Sequence, residues 1–171
     1  MNTLRAEPIE TARLDLLPLR VAHAEEMAAV LSDPALHLFT GGTPYTPQGL
    51  RARYERLDAG SPDPAVGWLN WVVRLRDAGC LAGTVQATVD CSGETRSAEI
   101  AWVVGTHWQG RGIATEAARG LVEWLDGHSV RTVRAHIHPD HHASAAVAAA
   151  SGLAPTEVWQ DGEVRWLRRN D

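Results

Sequence analysis

Apolar and polar positions change rhythm several times along the chain, and each change marks an element. RLDLLPLR (13–20) carries the short period of a half-buried strand, whereas AHAEEMAAVLSD (22–33) shifts to helical spacing. After the loop FTGGTPYTPQ (39–48), Thr46-Pro47 pairs a capping hydroxyl with proline at a first helical position, so a polar helix is expected through about Asp58. WLNWVVRL (68–75) and CLAGTVQATV (80–89) read as strands joined through Asp77-Ala78-Gly79 into an antiparallel hairpin. A turn spans Cys91 to Thr95, and SAEIAWVV (97–104) is the next strand. A glycine-containing turn then leads into a helix to about Asp126, with Gly127 suited to its C-terminal cap. VRTVRAHIH (130–138) is a strand, HASAAVAAASG (142–152) a short helix, and APTEVWQ (154–160) with EVRWLRR (163–169) a last hairpin around Asp161-Gly162.

The strand–helix–strand unit at 97–138 implies a right-handed crossover between two parallel strands. The remaining strands connect antiparallel. The expected fold class is α/β (α+β), with a mixed, mostly antiparallel, seven-stranded sheet flanked by helices, in a single domain spanning 1–171.

Composition then narrows the function classes. A chain of 171 residues suffices for one sizeable core. A net charge of −5 argues against a broad nucleic-acid-binding face. No apolar run reaches the roughly 18 residues of a membrane span, and MNTLRAEPIE does not resemble a signal peptide, so a cytoplasmic location is expected. Cys80 and Cys91 fit no metal or redox spacing and are expected to be plain strand residues. All 16 basic residues are arginine, which reflects codon usage in a GC-rich genome.

The candidate chemistry centres on HWQGRGIATEA (107–117). Gln109-Gly110-Arg111-Gly112-Ile113-Ala114 lies between a strand and a helix, where free N–H groups and the helix dipole favour an anion. The loop lacks the Gly-Lys-Ser/Thr of a phosphate-binding P-loop and the third glycine of a dinucleotide fingerprint. Taken alone, it also fits a plain tight turn.

Its context decides. EIAWVVGTHWQGRGIATEA resembles the central strand, acyl-CoA pyrophosphate loop and helix of the GNAT superfamily of N-acetyltransferases. HPDHHASAAVAAASGLAPT is similar to that family's following segment, and RLDLLPLR and LAGTVQATV to its first and third strands. The likeness is strongest over 97–153 and nearest to the ribosomal-protein N-terminal acetyltransferase branch. There are departures. His141 stands where the family has asparagine, Leu153 follows Gly152 in place of phenylalanine, and Ala148 falls where many members place a tyrosine acid.

The resemblance implies an acetyl-CoA-dependent N-acetyltransferase acting on a primary amine by direct attack in a ternary complex. The acceptor would be a protein N-terminus or a small amine. Trp102, Val103 and Val104 would pair with the pantetheine arm. The N–H groups of Gln109, Gly110, Arg111, Gly112, Ile113 and Ala114 would hold the pyrophosphate, with His141 and Ser144 beside the cofactor. Arg111 either adds a phosphate contact or is simply exposed. Glu99 is the candidate base, its alternative being a solvated strand carboxylate. Ser144 is the candidate leaving-group acid, its alternative being a helix cap. Glu116 is read as structural. The run His136 to His142 has metal-like spacing, but the fold accounts for it and no metal is expected; His138 or His141 could instead act as base or touch the acceptor. Trp124 and Trp166 are expected in the core. Trp68 and Trp71, three apart on a strand, point to opposite faces, and one of them is expected beside Tyr45 in the acceptor wall, in an acidic setting that would steer a cationic amine. Partners are limited to acetyl-CoA and the acceptor, with no nucleic acid and no membrane, and a homodimer is left open. Two further readings remain: a non-catalytic acyl-CoA-binding sensor on the same fold, and a nucleotide-binding protein using the same anion loop.

Overall fold

The computed structural model describes residues 4–170; the first three residues of the N-terminal segment lie outside the described residues. Eight strands form one sheet: β1 (Ile9–Glu10), β2 (Leu14–Pro18), β3 (Val66–Leu75), β4 (Cys80–Asp90), β5 (Arg96–Val104), β6 (Val130–Ile137), β7 (Ala154–Gln160) and β8 (Glu163–Arg169). Their order is β1-β2-β3-β4-β5-β6-β8-β7. All neighbours are antiparallel except β5 and β6, whose connection runs through a helix. The sheet thus has one strand more than expected. β1 is two residues long and pairs Ile9 with Leu16, too short to leave a periodic signal.

Helices α1 (Ala24–Val30) and α2 (Pro47–Ala59) cover one face; α3 (Ile113–Gly127) and α4 (His142–Ala150) cover the other. Thr46 caps α2, its Oγ1 accepting from the Gly49 N–H at 3.0 Å, and Pro47 occupies the first turn where its missing N–H costs nothing. α3 buries Ile113, Ala117, Leu121 and Leu125, the four-residue ridge of an amphipathic helix. Asp161 and Gly162 both have positive φ, 51° and 80°, as a tight two-residue hairpin requires.

Several local expectations change. α1 is shorter than 22–33, because a 3-10 turn at Val21–His23 precedes it and the chain leaves the helix after Val30. Gly127 remains helical; His128 is the cap and Ser129 takes the left-handed conformation (φ 64°). Cys80 opens β4, but Cys91 lies just past its end, buried. Trp71 is the fully buried tryptophan, whereas Trp124 and Trp166 are partly buried against the core. The Trp71 ring meets Trp124 edge-on at 5.3 Å, and its Nε1–H donates to the Glu7 carbonyl at 2.7 Å.

The sheet is tightest at Gly83, where a Cβ would stand 2.2 Å from the Val103 carbonyl oxygen. An ordinary side chain there forces β4 and β5 apart. Gly83→Ala is expected to lower stability by about 1–3 kcal/mol in urea unfolding. Gly93→Ala, whose nearest neighbour would be at 3.6 Å, should stay within about 0.5 kcal/mol of the parent. Equal, small losses at both sites would refute the close-approach argument.

Candidate active site

β5 and β6 pair only from Arg96↔Val130 to Glu99↔Arg134. Beyond Glu99 each strand keeps its outer partner: β5 stays on β4 through Val104↔Gly83, and β6 stays on β8 through Ile137↔Val164. The inner edges therefore part, and the backbone groups of Ile100–Val104 that face β6 have no ladder. A cleft of about 940 Å³ opens there. Its walls come from Ile100–Val104 of β5, Ala135–Ile137 of β6, the turn after β5, the start of α3, one face of α4, and α1 and α2 across the sheet.

The glycine loop forms one end. Gly110 and Gly112 both have φ 75°, and nothing lies within 4 Å of a Cβ built on Gly110. α3 starts at Gly112 with no side-chain cap, so its first N–H groups are left for another acceptor. Gln109 turns inward instead, its Nε2 donating to the Val104 carbonyl at 3.0 Å and tying the loop to the end of β5. The Arg111 guanidinium lies 5.1 Å over the Trp108 ring.

A carboxylate braces this loop from behind. Glu116 accepts from Thr11 Oγ1 (2.5 Å), the Arg13 N–H (2.8 Å) and Arg13 Nε (2.7 Å), while Arg13 Nη1 donates to the Arg111 carbonyl (3.0 Å). Burial pushes the Glu116 pKa up, but the hydrogen bonds from Thr11 and from the Arg13 backbone and side chain outweigh it and hold the carboxyl below its ordinary value. Glu116 is thus a strut between α3 and the segment before β2.

At the centre of the cleft, His141 precedes α4. Its Nδ1 accepts from the Ser144 N–H (3.4 Å), and its Nε2 lies 3.1 Å from Ser144 Oγ. With Nδ1 accepting, the hydrogen-bond pattern assigns the proton to Nε2, which donates to Oγ. The Ser144 hydroxyl proton is then free for another acceptor. Burial lowers the His141 pKa, and the neighbouring His138 and His142 lower it further, so the ring is neutral at pH 7. Phe39 stacks on His141 at 4.5 Å and leans over His138 at 5.1 Å. Ser144 and His141 both line the cleft; Ala148 does not, being fully buried in the core.

Glu99 sits where β5 and β6 part, half exposed and outside the lining itself. Its Oε1 is 2.8 Å from His136 Nδ1 and 3.5 Å from Arg134 Nε. His136 lines the cleft, and its Nε2 accepts from Arg165 Nε at 3.2 Å. The imidazole is therefore clamped from both sides, with Nδ1–H toward Glu99.

On the far side of the sheet, Tyr45 lines the cleft with Arg53 5.8 Å over its ring. The tryptophan expected beside it is absent from this wall. Trp71 is in the core, and Trp68, though half exposed, is not part of the lining. Phe39 takes the aromatic role, and Tyr54, Asn70 and Gln86 join from α2, β3 and β4. The lining is not acidic either: among the described residues its one carboxylate is Glu163 of β8. Phe39, His136 and Tyr54 escape a linear reading because each acquires its neighbours from a distant element. The one usable signal was Phe39 itself, the sole phenylalanine, placed in a loop. Among the described residues no group of three or more His, Cys, Asp or Glu side chains is placed to hold a metal, and no helix is long and apolar enough to cross a membrane.

The sequence profile of the acetyltransferase (GNAT) domain matches residues 13–154. No curated protein matches the chain in sequence. Among solved structures, a GNAT-family acetyltransferase from Bacillus anthracis superposes with a TM-score of 0.76 at 16% identity, over 95% of this chain and 98% of that one. The microcin C7 self-immunity acetyltransferase, solved with acetyl-CoA and AMP, gives 0.75 at 17% identity, over 94% of each chain. The ribosomal-protein-S5-alanine acetyltransferase from Vibrio fischeri gives 0.73 at 20% identity, over 96% and 97%.

Removing the Glu116 strut leaves three donors without their acceptor. Glu116→Ala should cost about 1–3 kcal/mol at pH 7 in chemical unfolding. The folded-state pKa is depressed, so this contribution is full above the ordinary value of 4.5 and disappears as pH falls through the folded value. Parent and variant should therefore converge in acid, and a gap that persists unchanged there would contradict the ionised-strut account.

Proposed function

The chain belongs to the acetyltransferase (GNAT) family, and on that premise we propose that it transfers an acetyl group from acetyl-CoA to a primary amine by direct attack in a ternary complex, with residues 1–171 as one catalytic domain working in the cytoplasm. The observation that carries this reading is the parted edge of β5, which leads through the turn at 105–112 to the uncapped N-terminus of α3. A pantetheine arm is a chain of amides and suits an open strand edge; a diphosphate suits free helical N–H groups. In this reading Trp102, Val103 and Val104 pair with the arm, and the N–H groups of residues 109–114 receive the diphosphate.

Acetyl transfer needs an unprotonated amine, donors for the tetrahedral oxyanion and a proton for the leaving thiolate. An N–H on the open β5 edge serves as oxyanion donor. Ser144, its oxygen already holding a hydrogen bond from His141, gives its own proton to the sulfur. Glu99 takes the amine proton through a water, because its carboxylate is anchored by His136 at the border of the cleft. The acceptor enters on the side of Tyr45 and Phe39.

Gly112→Ala and Gly112→Asp share the strain of a side chain at φ 75°, but only the second adds charge. The aspartate should weaken CoA by about a further tenfold in calorimetry, which corresponds to roughly 1.4 kcal/mol. Equal affinities would reduce the loop to a turn. Tight CoA binding with no thiol release across a panel of amines would favour an acyl-CoA sensor instead.

Ser144→Ala should lower kcat by about a hundredfold with little change in the acetyl-CoA KM, as expected for a group acting in the transition state. Protonated His141 cannot accept from the Ser144 N–H, so activity should fall in acid as His141 titrates below 6.5, the depressed folded-state value setting the midpoint. His141→Asn keeps an acceptor without a titrating group and should remove that acid limb. An identical pH profile in His141→Asn would take His141 out of the mechanism.

A further inference from the structure

α2 presents one face to the cleft: Leu50, Arg53, Tyr54 and Leu57, the spacing of a single helical side. Among the described residues, Tyr54 and Arg53 carry polar groups that the packing of this face leaves unpaired. Tyr54 is 3% exposed, and its hydroxyl is the buried side-chain polar atom without a hydrogen-bond partner among the described residues. Burial pushes its pKa up to about 12, so it remains a donor. Such a group costs about 1–3 kcal/mol while unpaired. Arg53 lies 5.8 Å over the Tyr45 ring and makes no ion pair among the described residues. Among the described residues the one lining carboxylate, Glu163, belongs to β8, beyond β6 in the sheet. Leu19, Leu31 and Leu50 give this lining an apolar part, beside the polar Asn70, Thr84 and Gln86 of β3 and β4.

We propose that the acceptor is an amine with an apolar body ending in a carboxylate-class acid, which Arg53 pairs with and the Tyr54 hydroxyl donates to. The proposal rests on the amine-transfer reading and gives its site a substrate class. The amine lies at the parted strands, the body against the leucines and the acid at α2. A polycationic amine is disfavoured, since it would set a second ammonium against Arg53 in a lining whose one carboxylate among the described residues is Glu163.

Three amines with the same six-carbon chain test this: ε-aminocaproate, hexylamine and diaminohexane. The expected order of kcat/KM is acid, then neutral, then diamine, with about tenfold or more between the extremes. Calorimetry on the CoA complex should rank their binding the same way. Arg53→Gln should collapse the ratio between acid and diamine, with CoA affinity reporting that the variant is folded. Tyr54→Phe should raise the KM for ε-aminocaproate several-fold while thermal stability holds or rises, because an unpaired buried hydroxyl has been removed. A purely structural tyrosine would leave that KM alone. Preference for the diamine, or an acid-to-diamine ratio indifferent to Arg53→Gln, overturns the proposal. If binding follows the expected order but none of the three is acetylated, the transfer reading fails while the charge assignment stands. If all three are acetylated without rank, the reverse holds.

Discussion

The central cleft of this molecule depends on two parallel strands that stop pairing halfway along. Backbone N–H and C=O groups must find partners, and in a continuous sheet the neighbouring strand supplies them. Here β5 and β6 part after Glu99 and Arg134, and neither frays, because each is held on its outer side. β5 is pinned to β4, with Gly83 permitting an approach that no side chain would allow. β6 is pinned to β8, and His136 sits directly opposite Arg165 on that pair. The opening is therefore a gap between two paired sheet halves, with strand-edge backbone groups left outside the ladder.

The charged groups around the gap are fixed in place by different partners, and that separates their roles. Glu116 carries three hydrogen bonds from the segment before β2, so it holds the glycine loop and is unavailable for proton transfer. Glu99 is held through one oxygen by a histidine that is itself held by an arginine. His141 is kept neutral by burial and by two histidine neighbours, which suits a ring that must accept at one nitrogen and donate at the other. Two carboxylates and two histidines thus receive four distinct assignments from their surroundings.

The two ends of the cleft differ in kind. One is backbone: strand edge, glycine loop, helix terminus. The other is side chain: leucines, Phe39, Tyr45, Tyr54 and Arg53. A backbone site recognises what is common to many ligands, whereas a wall of side chains selects among them. On the proposed reading the backbone end would take the cofactor and the side-chain end the acceptor.

Much of this was legible along the chain. The hairpin turns at Asp77-Ala78-Gly79 and Asp161-Gly162, the Thr46-Pro47 helix start and the Gln109 to Ala114 loop all depend on residues adjacent in sequence, where local backbone preferences dominate. The fold class followed from their order. The tertiary structure decided the rest. Trp68 and Trp71 alternate on one strand, but which face becomes core depends on the helix that covers it, and α3 covers Trp71. Glu116 meets partners more than a hundred residues away, and Arg165 meets His136 across a strand pair that nothing local specifies. Sequence by itself determined most of the elements and the glycine loop before α3, because short-range sterics and hydrogen bonding set them. Only packing determined the side-chain wall of the cleft, the orphaned hydroxyl of Tyr54 and the clamp on Glu99, because each is made by side chains that the folded sheet alone brings together.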